Sequence, residues 1–252
     1  VQPAAAPKPS HGIERSLVTL KRLPFPDALE FALPDPYICL VTDDGLPTTA
    51  ALVQALTTHG WRVVALRFPQ TVVPNSAPLP SSIPQVTLQN FSEDHLQAQL
   101  AAIAQAHGLI GAFVHLHPPF LLEHDHTIGY LDADRLLVKS VFFIAKHIGQ
   151  SLKQAATAGH GCFYSIARLD GAFGLDRRVN FGAIAAGLFG LTKTLNMEWS
   201  GVMCRAIDLS PSFTAEQSVA CILAELYDPD RTLTEVAYGS QGRVTLTTET
   251  FS

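Results

Sequence analysis

Short apolar runs alternate with segments of helical periodicity along almost the whole chain, and this alternation restricts the possible folds most. SLVTLKRL (16–23) reads as an opening strand. YICLV (37–41) is a strand followed by the helix TTAALVQALTTHG, which stops at Gly60. WRVVALRF (61–68) is apolar throughout, as expected of a strand buried on both faces. A Pro- and Ser-rich loop over 69–84 leads to the short strand QVTLQNF, then to a helix with Ser92 as N-cap and Gly108 as stop. LIGAFVHLH is a strand, and a polar loop joins it to a long helix over 132–158. GCFYSIARL, the helix NFGAIAAGLFGLTKTLNMEW, VMCRAIDLS, the helix TAEQSVACILAELYD and the closing hairpin TEVAYGSQGRVTLTTE complete the series. Strands and helices in this order predict an α/β fold: a doubly wound parallel sheet, Rossmann-like, covered on both faces. One domain is expected over residues 14–252, preceded by an Ala/Pro-rich linker over 1–13, as in a piece of a longer polypeptide.

In a dinucleotide-binding fold, glycines follow the first core strand so that backbone can approach a pyrophosphate at a helix N-terminus. Here the turn reads Asp43, Asp44, Gly45, Leu46, Pro47, with one glycine and two carboxylates. Side chains block close approach, and carboxylates repel phosphate. The same residues suit a helix start, where negative charge and proline are both favoured. The turn therefore predicts a structural element without a cofactor. Arg67, after the next strand, has two readings: a contact for a 2′-phosphate, or a solvated arginine at a strand end.

Net charge is −5 with both signs mixed, which excludes a basic nucleic-acid footprint. No apolar run approaches the ~20 residues of a membrane helix. The four cysteines (Cys39, Cys162, Cys204, Cys221) are widely spaced in apolar settings, as buried thiols of a reducing compartment, and a cytoplasmic location is expected.

YSIARLDGAFGL (164–175), GLFGLTKTLNMEWSGVMCRAIDLSP (187–211) and EVAYGSQGRVTLTTE (235–249) resemble the ketoreductase region of type I polyketide synthases, nearest to the polyunsaturated-fatty-acid and heterocyst-glycolipid kinds. The resemblance spans most of residues 14–250. It implies a short-chain-dehydrogenase-like domain, of which such regions hold two: a structural half without cofactor and a catalytic half that binds NADPH. In the catalytic half a Tyr protonates the nascent alkoxide, a Ser holds the carbonyl oxygen, and an Asn or Lys completes the site. Setting the family's LDAL on Leu188–Leu191 puts Phe181 at the Tyr position, Ala185 at the Asn position and Arg168, thirteen residues before Phe181, at the Ser position. A phenyl ring has no proton to give. The resemblance thus implies a degenerate, structural half with no catalytic residue of its own. Lys139 is either a remnant of the active lysine or a lysine on an exposed helix face. NADPH and phosphopantetheine are expected elsewhere in a parent synthase with acyltransferase and oxidoreductase activities, and the partners are its catalytic ketoreductase half and acyl carrier protein.

Other groupings have two readings each. His115 and His117 alternate on a strand and share a face, with His124, Asp125 and His126 in the next loop; they read as zinc ligands or as structural and surface groups, the latter favoured, so no metal is expected. Arg168, Asp170, Arg177 and Arg178 form an anion or phosphopantetheine contact, or an Arg168–Asp170 and Asp176–Arg178 ion-pair network. Tyr164 and Ser165 have no partner at catalytic spacing. The helices over 132–158 and 181–199 are expected to dock a second subdomain or a copy of the chain through Phe142, Phe181, Ile184, Leu188 and Phe189. Two rival functions remain: an atypical NADPH-dependent reductase of carrier-bound β-ketoacyl thioesters, and a ligand- or metal-sensing Rossmann module.

Overall fold

The structure is a computed structural model that describes residues 16–74, 76–119, 128–129, 131–176 and 181–250. The 1–13 stretch, His124, Asp125, His126, Arg177, Arg178 and the Phe181 side chain lie outside the described residues.

Seven parallel strands form the frame: β2 (Ile38–Thr42), β3 (Val63–Arg67), β4 (Gln85–Thr87), β5 (Ile110–Leu116), β7 (Cys162–Ala167), β9 (Met203–Leu209) and β10 (Glu235–Gly239). Their spatial order is β4-β3-β2-β5-β7-β9-β10. The chain winds outward from β2 to β4, then crosses back to β5 and winds the other way, which makes β2/β5 the switch point. Two antiparallel strands extend the far edge. β11 (Gly242–Thr250) folds back on β10, and β1 (Ser16–Arg22) pairs with β11 along its length. The opening strand therefore lies at the edge farthest from β4, a pairing that nothing local in its sequence specifies.

The sheet separates two apolar layers. Ile38 and Leu40 of β2 face α2 (Glu93–His107), α3 (Asp132–Ala158) and α4 (Gly187–Glu198). Cys39 and Val41 face α1 (Pro47–Thr58) and α5 (Ala215–Leu226). The helix starts follow their local chemistry. Ser92 accepts from the His95 N–H at 3.3 Å, and Thr214 forms a reciprocal capping box with Gln217. Pro47 is the first residue of α1, where its missing N–H costs nothing.

The helix expected from residue 180 is different. Phe181–Gly182 form a short strand, β8, parallel to β6 (Ile128–Gly129), and Ala183–Ala186 make one 3₁₀ turn before α4 begins. Gly182 and Gly187 bracket this turn and disfavour a continuous helix through it. The expected docking set changes accordingly. Leu188 is fully buried, and Phe189 packs edge-to-face on Phe173 in a small cluster with Leu169 and Ala206. Neither is available to a partner. Phe142 is about half exposed and Ile184 is intermediate, so these two remain.

Candidate crevice site

The carboxyl ends of β2, β3, β5 and β7 converge at the switch point, where a doubly wound fold has its crevice. Side chains fill the described part of it. Asp43 and Asp44 are both buried, and each faces an arginine. Arg67 Nε donates to Asp43 Oδ2 at 2.9 Å, and its Nη2 donates to the Ala77 carbonyl. Arg67 is thus turned inward on its own strand-end partner rather than solvated. Arg168, at the end of β7, reaches across the crevice: its Nη1 lies 3.0 Å from Asp44 Oδ2, and its Nη2 donates to Thr48 Oγ1 in the first turn of α1. It also donates to the His117 carbonyl at 3.4 Å. The expected partner Asp170 is used differently, accepting the backbone N–H groups of Ala172, Gly174 and Asp176.

The aspartates also shape the turn. Asp43 Oδ1 accepts the Gly45 N–H, and Asp44 Oδ1 accepts the Leu46 N–H and the Thr49 hydroxyl. Asp44 therefore supplies acceptors where the helix start leaves free donors. Burial pushes the Asp44 carboxyl up against the opposing pull of Arg168, Thr49 and the Leu46 N–H. The expected concentration of negative charge is absent, because two arginines offset the two aspartates.

Beneath Arg168 runs a second buried chain. Thr42 Oγ1 is 2.8 Å from His115 Nδ1, His115 Nε2 is 3.2 Å from His117 Nδ1, and His117 Nε2 is 2.8 Å from Asp134 Oδ1. With Asp134 Oδ1 as acceptor, His117 donates its Nε2–H. His117 Nδ1 then accepts from His115 Nε2–H, and His115 Nδ1 accepts from Thr42. The shared strand face foreseen for the two histidines is thus an internal relay, with every ring nitrogen occupied. Burial, then the neighbouring His117, holds His115 well below the usual histidine range. No group of three His, Cys, Asp or Glu among the described residues is arranged to hold a metal ion.

Ser165 hydrogen-bonds Thr192 at 2.7 Å, and Tyr164 donates to the Glu225 carbonyl, so both are core groups. Lys139 is on the outer face of α3, with its Nζ 5.4 Å from the Phe143 ring centre. It is an exposed helix lysine and does not enter the crevice. Ala185 is buried beside Ala167 and Leu169, and offers only a methyl.

After Arg168 the chain is pinned from below. Asp208 accepts the Leu169 and Phe173 N–H groups at 2.7 and 2.8 Å. Burial nonetheless pushes its carboxyl up to about 7. Gly171 has φ 72°, and a Cβ there would collide with the Tyr238 carbonyl oxygen, so the loop can approach β10 only with glycine.

One buried network gave no sequence signal strong enough to single it out. Arg205, inside β9, meets Glu225 at 2.5 Å and Asp228 at 3.2 Å; Arg243 of β11 meets the same two carboxylates, and Tyr238 donates to Glu225. The clue was an arginine amid MCRAIDL, an apolar strand that tolerates a charge only with partners.

The chain adopts the same arrangement as several solved enzymes. A short-chain dehydrogenase from Leptospira borgpetersenii with bound NAD+ superposes with TM-score 0.59 at 11% identity, covering 79% of this chain and 89% of that one. One from Shigella flexneri complexed with NADP gives 0.58 at 14% identity over 81% and 96%, and one from Pseudomonas syringae gives 0.57 at 17% over 85% and 98%. The fold is that of the short-chain dehydrogenases. No family model matches the sequence. In sequence, the chain is 27% identical over 228 residues to a polyunsaturated fatty acid synthase subunit of Thraustochytrium sp., covering 88% of this chain and 8% of that protein. Short-chain-dehydrogenase fold and synthase likeness together are consistent with a ketoreductase-type module. No helix among the described residues is long and apolar enough to cross a membrane.

Proposed function

We propose that this chain is the structural, non-catalytic half of a ketoreductase region in a multidomain synthase of the fatty-acid and polyketide type. The observation that carries the reading is the Arg168–Asp44 pair. A dinucleotide in this fold lays its pyrophosphate on the first turn of α1, at a backbone freed of side chains. In this chain the Arg168 guanidinium and the Asp44 carboxylate occupy that turn, hydrogen-bonded to Thr48, Thr49 and Leu46. These residues do not suit the cofactor: admitting it would strip a buried carboxylate of its cation and set it against phosphate. The proton-transfer side is equally bare, since the aligned positions carry Arg168, Phe181 and Ala185, and His115 and His117 are tied into a buried chain with Thr42 and Asp134.

On this reading the chain braces the NADPH-binding half of the same region and works beside a carrier protein bearing phosphopantetheine, in the cytoplasm. Phe142 and Ile184 mark the side on which it docks. Calorimetric titration with NADPH tests the core of the proposal. No saturable heat is expected up to about 1 mM ligand; binding with a Kd in the micromolar range, a favourable free energy of about 8 kcal/mol, would overturn it.

A further inference from the structure

The helices differ sharply in charge. α1 has no charged residue, α2 and α5 have no lysine or arginine, and α4 has only Lys193, which pairs with Glu235. α3 carries Arg135, Lys139, Lys146 and Lys153, four of the five lysines and arginines found in helices. Their spacings of four, seven and seven residues put them on one face, and all four are exposed. The row is about 27 Å long at 1.5 Å per residue. Phe142 lies on the same face, about half exposed.

Solvated helix faces ordinarily mix signs. On α3, Asp134 is buried, which leaves Asp132 as the outward carboxylate. Arg135 is 3.6 Å from Asp132, an exposed pair of small worth, and Lys146 is 2.7 Å from Glu93 of α2. No carboxylate among the described residues pairs with Lys139 or Lys153, and the chain as a whole carries −5.

We infer that the outer face of α3 is a docking surface for an acidic protein partner, one whose carboxylates flank an apolar group that covers Phe142. Charge complementarity decides among occupants. A second copy related by a two-fold axis along this face would set one basic row against another, and like-charge contact across an interface costs several kcal/mol. A nucleic acid or an anionic membrane would leave Phe142 opposite phosphate. An acidic protein surface satisfies the row and buries the ring. The inference rests on the docking part of the function proposed above and is independent of whether NADPH binds.

The test is fluorescence anisotropy with a labelled amphipathic helical peptide that has glutamates along one face and leucines between them. Binding is expected at low salt and should weaken steeply above about 0.3 M, where the screening length falls below ~6 Å. The variant K139E/K146E/K153E should bind at least about tenfold more weakly, and Phe142→Ser should weaken binding at any salt. All four side chains are exposed, so circular dichroism melts should match the parent. The control K21E/R22E, on β1, lowers net charge by four against six for the triple variant and should leave affinity within about twofold. Equal loss in both charge variants, no binding at low salt, or tighter binding to anionic vesicles or single-stranded RNA would overturn the inference. So would a dimer in sedimentation that requires the α3 face.

Discussion

Two buried ion networks face each other across this molecule, and they differ in what their charges replace. In the crevice, Arg168 joins the end of β7 to the turn after β2, two elements separated by the whole of β5. At the distal edge, Arg205 and Arg243 share Glu225 and Asp228, tying β9, β11 and α5 together. Both are balanced, two cations against two carboxylates. The edge network closes a place where the sheet changes from parallel to antiparallel. The crevice pair stands where proteins of this fold hold a cofactor. A buried salt bridge is weak evidence of stability by itself. Its position is the informative part: one pair spans the crevice at the carboxyl ends of the strands, and the other network ties the distal edge of the sheet together.

The largest effect should come from breaking the edge network. Glu225→Ala removes one of the two carboxylates that two buried guanidiniums share, and should lower unfolding free energy by about 3–5 kcal/mol in urea titrations. Asp44→Ala should cost less, about 2–3 kcal/mol, because Arg168 keeps Thr48 and the His117 carbonyl. A cost for Asp44→Ala equal to that of Glu225→Ala would break the comparison, since the crevice pair would then be as deeply built into the scaffold as the edge network. The paired change D44L/R168M should recover most of the single-variant loss if the pair merely fills space. Gly171→Ala forces a side chain against the Tyr238 carbonyl at positive φ and should cost about 1–3 kcal/mol by thermal melt.

Stability against pH separates two buried groups on the crevice side by sign. Burial lowers the His115 pKa, so the unfolded chain binds the extra proton first, and stability is lost as pH falls below about 6.5. The Asp208 carboxyl is raised to about 7, so the folded chain holds its proton longer; that contribution is present at low pH and lost as pH rises toward 7. Asp208→Asn should therefore show its greatest deficit near pH 4 and a smaller one at pH 8, while His115→Gln should flatten the acid limb. The smallest effect belongs to Lys139→Ala, expected within about 0.5 kcal/mol of the parent, as for any exposed helix residue.

Much of the crevice was legible in the residues themselves. A turn of Asp43, Asp44, Gly45, Leu46 and Pro47 is visibly a helix start with side chains in the way, and Pro47 does open α1. The partner of Arg168 was not legible. Asp170 is two residues away and Asp44 is 124 away, and only the parallel pairing of β5 with both β2 and β7 brings the latter within reach. Leu188 and Phe189 look like a docking face on a helical wheel, yet the 3₁₀ turn before α4 and the Phe173 contact turn them inward. Lys139 and Phe142 are three residues apart on one helix, and only packing showed that both face outward.

Local sequence determined most of the elements and their order, because strand and helix periods, caps and stops are short-range properties of backbone and side-chain chemistry. It also determined that the first turn has no glycine cradle. Tertiary structure alone decided which charges meet. Ion pairs form between residues distant in sequence, and a buried charge is tolerated only where the fold delivers its partner to within hydrogen-bonding distance.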